Sequence, residues 1–111
     1  MRKVPDSKHK ALPAPVIIVS GGAGASGMQV VNTVLAQFPG YDVPVKTFSH
    51  ISGSGQLAEA VLYAEQTGGI IVHTLVDAGV RKALQHLARK RRVPAVDLMG
   101  DLVEWLQEQI G

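Results

Sequence analysis

The sequence predicts one three-layer α/β domain, a four-stranded parallel sheet with helices on both faces, of the Rossmann-like type. Three observations carry that expectation. Short apolar runs rich in β-branched residues alternate with helix-length amphipathic stretches in the order β-α-β-α-β-α-β-α. A glycine-rich turn at residues 20–27 leads straight from the first run into the first amphipathic stretch. Each crossover is long enough for a right-handed connection between parallel strands. The 111 residues are 46% apolar and 18% charged, which supplies one core and argues against disorder.

Taken in order, residues 1–15 carry charges, three prolines (Pro5, Pro13, Pro15) and no periodicity, and are expected to form a flexible lead-in to a domain at residues 16–111. The first strand is expected at residues 16–20, four apolar residues ended by Ser20. Met28, Val31, Val34, Leu35 and Phe38 recur at helical spacing, with Ser26 as N-cap and Pro39-Gly40 as the stop. Residues 43–49 alternate as a second strand, and a Gly/Ser loop at 50–55 follows. Leu57, Val61, Leu62 and Ala64 mark the second helix, closed by Thr67-Gly68-Gly69. The third strand spans residues 70–75. Val80, Ala83, Leu84, Leu87 and Ala88 form the expected buried face of the third helix, whose tail is the basic run at 89–92. Residues 93–98 read as a short fourth strand. The last helix starts at Asp101, with Leu102, Val103, Leu106 and Ile110 facing inward and Trp105 at the stripe's edge.

The chemistry concentrates in loops. Gly22, Gly24 and Gly27 have GxGxxG spacing, which supports two readings: an anion held by backbone N–H groups at a helix N-terminus, or a tight turn that needs glycine for close packing. In an open α/β sheet, ligands sit beyond the C-terminal strand ends where strand order reverses. The candidate anion- or nucleotide-binding residues are therefore Ser20, Gly22, Gly24, Ser26, Gly27, Thr47, Ser49, His50, Thr74 and Asp77. A bulky residue at Gly24 is expected to remove anion binding and leave the fold intact. Asp77 and Asp97 serve equally as crevice residues or as helix caps, and His73, inside an apolar strand, reads as a hydrogen-bonded core histidine.

Several classes drop out. A dinucleotide site needs an acid near the end of the second strand, where this chain has Lys46, Thr47, Ser49 and His50. A phosphoryl-transfer P-loop needs Lys and Ser or Thr after the glycines; Met28 and Gln29 stand there instead. No catalytic residue is assigned, and no metal is expected, because no His, Asp or Glu pair has ligand spacing on one helix. The chain has no cysteine, so disulfides are excluded. No apolar run approaches the roughly 20 residues of a membrane span. The formal charge of +2 comes from the lead-in and the 89–92 run, and aromatics are few, which disfavours nucleic-acid binding.

With these residues in hand, the chain resembles the N-terminal half of the bifunctional kinase and phosphorylase family that regulates pyruvate, phosphate dikinase and phosphoenolpyruvate synthase. The resemblance spans residues 16–111 and is carried by VIIVSGGAGASG at 16–27, LAQFP at 35–39, HTLVD at 73–77 and VPAVDLMG at 93–100. It implies a cytoplasmic regulator with a dikinase or synthase as target protein. It also implies ADP or ATP and inorganic phosphate as ligands of full-length members, whose P-loop lies in the C-terminal half. The family's first loop resembles SDSTGETA; here Ser20 and Gly24 match, Ser26 stands for threonine, Gly21 replaces the aspartate and Ala25 the glutamate. The reading that follows is a family domain that carries no P-loop, needs no cofactor by itself and does not transfer phosphate. Two others remain: a stand-alone anion- or nucleotide-binding module, and a dimerisation or docking module using Trp105 and residues 89–92.

Overall fold

The computed structural model describes residues 13–111, so most of the expected lead-in lies outside the described residues. The elements alternate without exception: β1 (Val16–Val19), α1 (Ala25–Leu35), β2 (Val45–Phe48), α2 (Ser54–Thr67), β3 (Ile70–His73), α3 (Ala78–Lys90), β4 (Ala95–Asp97) and α4 (Gly100–Ile110). All strand pairs are parallel, in the order β2-β1-β3-β4. The strands are shorter than the apolar runs that announce them because their ends pair by single backbone bonds. The Pro44 carbonyl accepts from Val16 N at 2.9 Å and the Pro94 carbonyl from Ile71 N at 2.9 Å, while neither proline has an N–H to extend a ladder.

Register sorts the strands' side chains into two faces. Val19 lies level with Phe48 and His73, and His73 with Asp97. Ile17, Val19 and Ile71 join Leu57, Ala60, Val61 and Ala64 of α2 and Leu84 and Ala88 of α3 in one apolar cluster. Ile18, Val72 and Val96 belong to the other face, because successive strand residues point to opposite sides, and α1 covers Ile18 there. Full burial of a Leu84 or Ile71 side chain stabilises by about 1.5–3 kcal/mol relative to leaving it in water. The left-handed C-cap Gly68, at φ 70°, ends α2 as sequence composition predicts.

Burial departs from the sequence pattern in an orderly way. Val34, Phe38, Leu62, Ala83, Leu102, Leu106 and Ile110 are exposed. On α3 the buried residues are Arg81, Leu84 and Ala88; Ala83 lies about 100° round the helix from Leu84 and turns outward. On α1 only Gly27 and Val31 are buried, and the helix stops at Leu35, so Phe38 follows it in a turn. On α4 only Gly100 is buried and Val103 half-buried: among the described residues nothing lies over the rest of its apolar stripe.

Candidate functional site

The chain runs from β1 to β2 on one side and returns to β3 on the other, so the strand order reverses between β1 and β3, where a ligand crevice is expected. Ser20 opens the loop beyond β1. Its N–H donates to the Phe48 carbonyl at 3.0 Å, its carbonyl accepts from Ile51 N at 3.0 Å, and its hydroxyl oxygen accepts from Gly22 N at 3.1 Å. The Gly22 carbonyl accepts from His50 N at 2.8 Å. To make that bond His50 adopts φ 55°, a left-handed conformation uncommon outside glycine. The two loops are therefore stitched together through their backbones.

The second half of the loop is packing. Gly24, at φ 92°, precedes α1, and its carbonyl accepts from Met28 N at 3.0 Å. A Cβ at Gly24 would stand 2.9 Å from the Thr47 methyl, and one at Gly27 2.9 Å from Ile18 Cγ2 and 3.6 Å from the Thr74 methyl. Both glycines let α1 sit against β1 and its neighbours. The expectation that a bulky residue at Gly24 spares the fold is therefore corrected: the site is buried, left-handed and in contact. Gly22 differs, since the nearest atom to a Cβ there is Ser20 Oγ at 4.0 Å. Ser26 is not the N-cap; Gly24 holds that place and no side chain caps α1. Ser26 lies exposed in the first turn, where the opening amides have no helical carbonyl to bond. That turn contains no acidic residue, so the positive end of the helix dipole is uncompensated. A shallow depression of about 550 Å³ along α1 is lined by Ala25, Met28, Gln29, Asn32 and Thr33.

The remaining candidates divide. Thr47 and Thr74 are half-buried and touch the glycine positions through their methyls. Ser49 is half-buried, and His50 has its side chain exposed. Asp77 is exposed and its Oδ1 accepts from Val80 N at 3.0 Å, so its carboxylate caps α3. Around the end of β1 the structure thus gathers Ser20, Gly22, Gly24, Gly27, Thr47 and Thr74, joined by the His50 backbone; Asp77 instead accepts hydrogen bonds from Val80 and Arg81 of α3.

A second polar cluster lies at the ends of β3 and β4. Asp97 Oδ1 accepts from Met99 N at 2.9 Å and Gly100 N at 2.7 Å, and its Oδ2 accepts from Arg81 Nε at 3.3 Å and Gln85 Nε2 at 3.3 Å. Arg81 reaches on to Glu104 of α4 at 3.2 Å. Burial pushes the Asp97 carboxyl up, but the two backbone N–H groups and the His73 and Arg81 charges outweigh it, leaving Asp97 below the usual carboxylate range. His73 is 1% exposed; its Nδ1 accepts weakly from Leu75 N at 3.4 Å, and its Nε2 has no hydrogen-bond partner, 4.0 Å from Asp97 Oδ2. Burial lowers the His73 pKa against the pull of Asp97, with Arg81 adding to the lowering. Arg81 carries no sequence signal beyond its place three residues before Leu84, on the buried arc of an amphipathic helix. Among the described residues no group of three or more His, Cys, Asp or Glu could hold a metal ion, and no helix is long and apolar enough to cross a membrane.

Comparison with known proteins covers the same stretch as these loops. A protein of Chloroflexus aurantiacus described as a pyruvate, phosphate dikinase regulatory protein is 42% identical over 92 residues, covering 83% of this chain and 33% of that protein. Proteins so described from Halothermothrix orenii and Listeria monocytogenes are 33% and 34% identical over 93 residues, covering 84% of this chain and 35% and 34% of theirs. The chain therefore spans about a third of the length of the curated relatives it matches. The model of one family, kinase/pyrophosphorylase, matches residues 16–111, which takes in every described strand and helix, and the chain belongs to that family.

Proposed function

We propose that this chain is a domain of a regulator of pyruvate, phosphate dikinase or phosphoenolpyruvate synthase that positions a phosphate-bearing ligand or the target protein without transferring phosphate itself. The observation that carries the reading is the family match over residues 16–111 in a chain where no glycine loop is followed by Lys-Ser or Lys-Thr. Its β1–α1 turn supports backbone recognition of an anion: the first turn of α1 offers free amides and no carboxylate. It does not support acid–base chemistry, because Gly21 and Ala25 stand where the family resemblance places acids. ADP and inorganic phosphate are the ligands this reading assigns to the regulator as a whole, in the cytoplasm, with the dikinase or synthase as its partner.

Two measurements test it. Mixed with a dikinase and ADP, the chain alone should leave the target threonine unmodified; phosphorylation would overturn the reading. A thermal-shift series with phosphate, ADP and NADP should show stabilisation by phosphate or ADP, by about 2.7 kcal/mol at a ligand concentration one hundred times Kd. Ser26→Glu, on an exposed position, places a carboxylate at the helix start and should remove the shift while leaving the fold in place. Silence across the panel removes the anion seat. A shift without any association with dikinase or synthase favours a stand-alone binding module.

A further inference from the structure

The two sides of the sheet are finished differently. On the side of α2 and α3 the outward residues include Glu59, Glu65, Lys82, Arg89 and Lys90, with Leu62 the large apolar exception. On the other side, residues 21–41 contain no Asp, Glu, Lys, Arg or His, yet Val30, Val34, Phe38 and Tyr41 of this stretch face solvent. A helix facing water ordinarily carries charge there, whereas loss of charge marks the centre of a protein interface. On the same sheet face the β4 residue Val96 is exposed. Immediately after β4, α4 is held by the Asp97 cap and the Arg81–Glu104 pair. Held in that way, it presents Leu102 at 60%, Trp105 at 56% and Ile110 at 82% exposure. Scattered apolar residues on a surface are ordinary; an uncharged helix that exposes Val30 and Val34 among Gln29, Asn32 and Thr33, beside a second helix with an uncovered apolar stripe, marks an interaction surface.

We propose that the outer sides of α1 and α4 dock the polypeptide that makes up the two thirds of the relatives' length outside the match. The docked body presents an uncharged surface to α1, apolar where it meets Val30 and Val34. Against α4, where Asp101 and Glu108 lie beside Trp105 at the edge of the stripe, it presents basic groups. This inference rests on family membership and is independent of any anion bound at the β1–α1 turn.

The chain has no cysteine, so single probes can be placed cleanly. Val34→Cys, Trp105→Cys and, as control on α2, Leu62→Cys are made in this chain and in a chimaera that carries residues 16–111 in place of the matched segment of the Chloroflexus aurantiacus relative. Alkylation is followed peptide by peptide by mass spectrometry. We expect labelling at positions 34 and 105 to be about tenfold slower in the chimaera and labelling at 62 to be unchanged. Equal rates at 34 or 105 in the two contexts overturn the proposal. Sedimentation of both proteins separates a second copy as the occupant: protection that appears only in dimers, or dimerisation of this chain abolished by Trp105→Glu, also overturns it. Should the chimaera not fold, a photo-crosslinker in the intact relative at the position aligned with Val34 replaces it. A crosslink to the same chain outside the matched segment supports the proposal; a crosslink to a second copy, or none, defeats it.

Discussion

Asp97 organises more of this domain than a residue in a three-residue strand usually does. One carboxylate oxygen satisfies the Met99 and Gly100 amides at the start of α4, the other takes Arg81 and Gln85 from α3, and Gly100 is glycine because a Cβ there would collide with Asp97 and Arg81. Asp97→Ala should cost about 2–4 kcal/mol, since it leaves two amides without an acceptor and a largely buried guanidinium with Glu104 alone. Asp97→Asn retains the amide acceptor and should cost less, the difference in urea denaturation measuring what the charge contributes. The pH dependence follows from the same pair. The His73 pKa is lowered in the fold, so below about pH 6.5 the unfolded chain takes up the proton first and stability falls. The Asp97 pKa is also lowered, so a further loss is expected below about pH 4, as the unfolded carboxyl protonates before the folded one. Unfolding free energy measured from pH 8 to pH 3 should show both declines, and His73→Gln should flatten the first.

At the scale of elements, α1 is positioned by two glycines and α3 by one arginine. A Cβ at Gly27 meets Ile18, and one at Gly24 meets Thr47 in a left-handed conformation. Gly24→Val should therefore destabilise by about 2–4 kcal/mol, from strain and overpacking together, whereas Gly22→Ala should cost less than about 1 kcal/mol because a Cβ has room. Thermal unfolding of the two variants side by side distinguishes a packing loop from one whose glycines serve only a ligand. The sequence announces the glycines and their spacing. It does not say which of them faces a neighbour, because that depends on Thr47 and Ile18 arriving from other strands. Arg81 is hidden for a related reason: on helical periodicity alone a cation on the buried arc looks like an error, and only Asp97 of β4 and Glu104 of α4 supply the carboxylates that make it favourable there.

For the whole molecule the asymmetry between the two sheet faces is the main feature. Leu84→Ala, in the cluster between α3 and the sheet, should cost about 2–5 kcal/mol. Leu102→Lys and Ile110→Lys, on residues the helical pattern would bury, should each change the unfolding free energy of this chain by less than about 0.5 kcal/mol; a loss comparable to that of Leu84→Ala would mean that α4 packs on the body more closely than its exposure indicates. The amino-acid pattern alone establishes the parallel α/β class, the number and order of the eight elements and the glycine turn beyond β1. Each of these follows from local periodicity or from backbone chemistry within a few residues. Three-dimensional packing settles the rest: Gly24 and Gly27 serve packing, Asp77 caps α3, Arg81 is buried, Asp97 joins α3 to α4, and Val34 of α1 and most of the α4 stripe face outward. Periodicity shows that a helix has an apolar side, but whether that side is covered depends on which other elements lie against it.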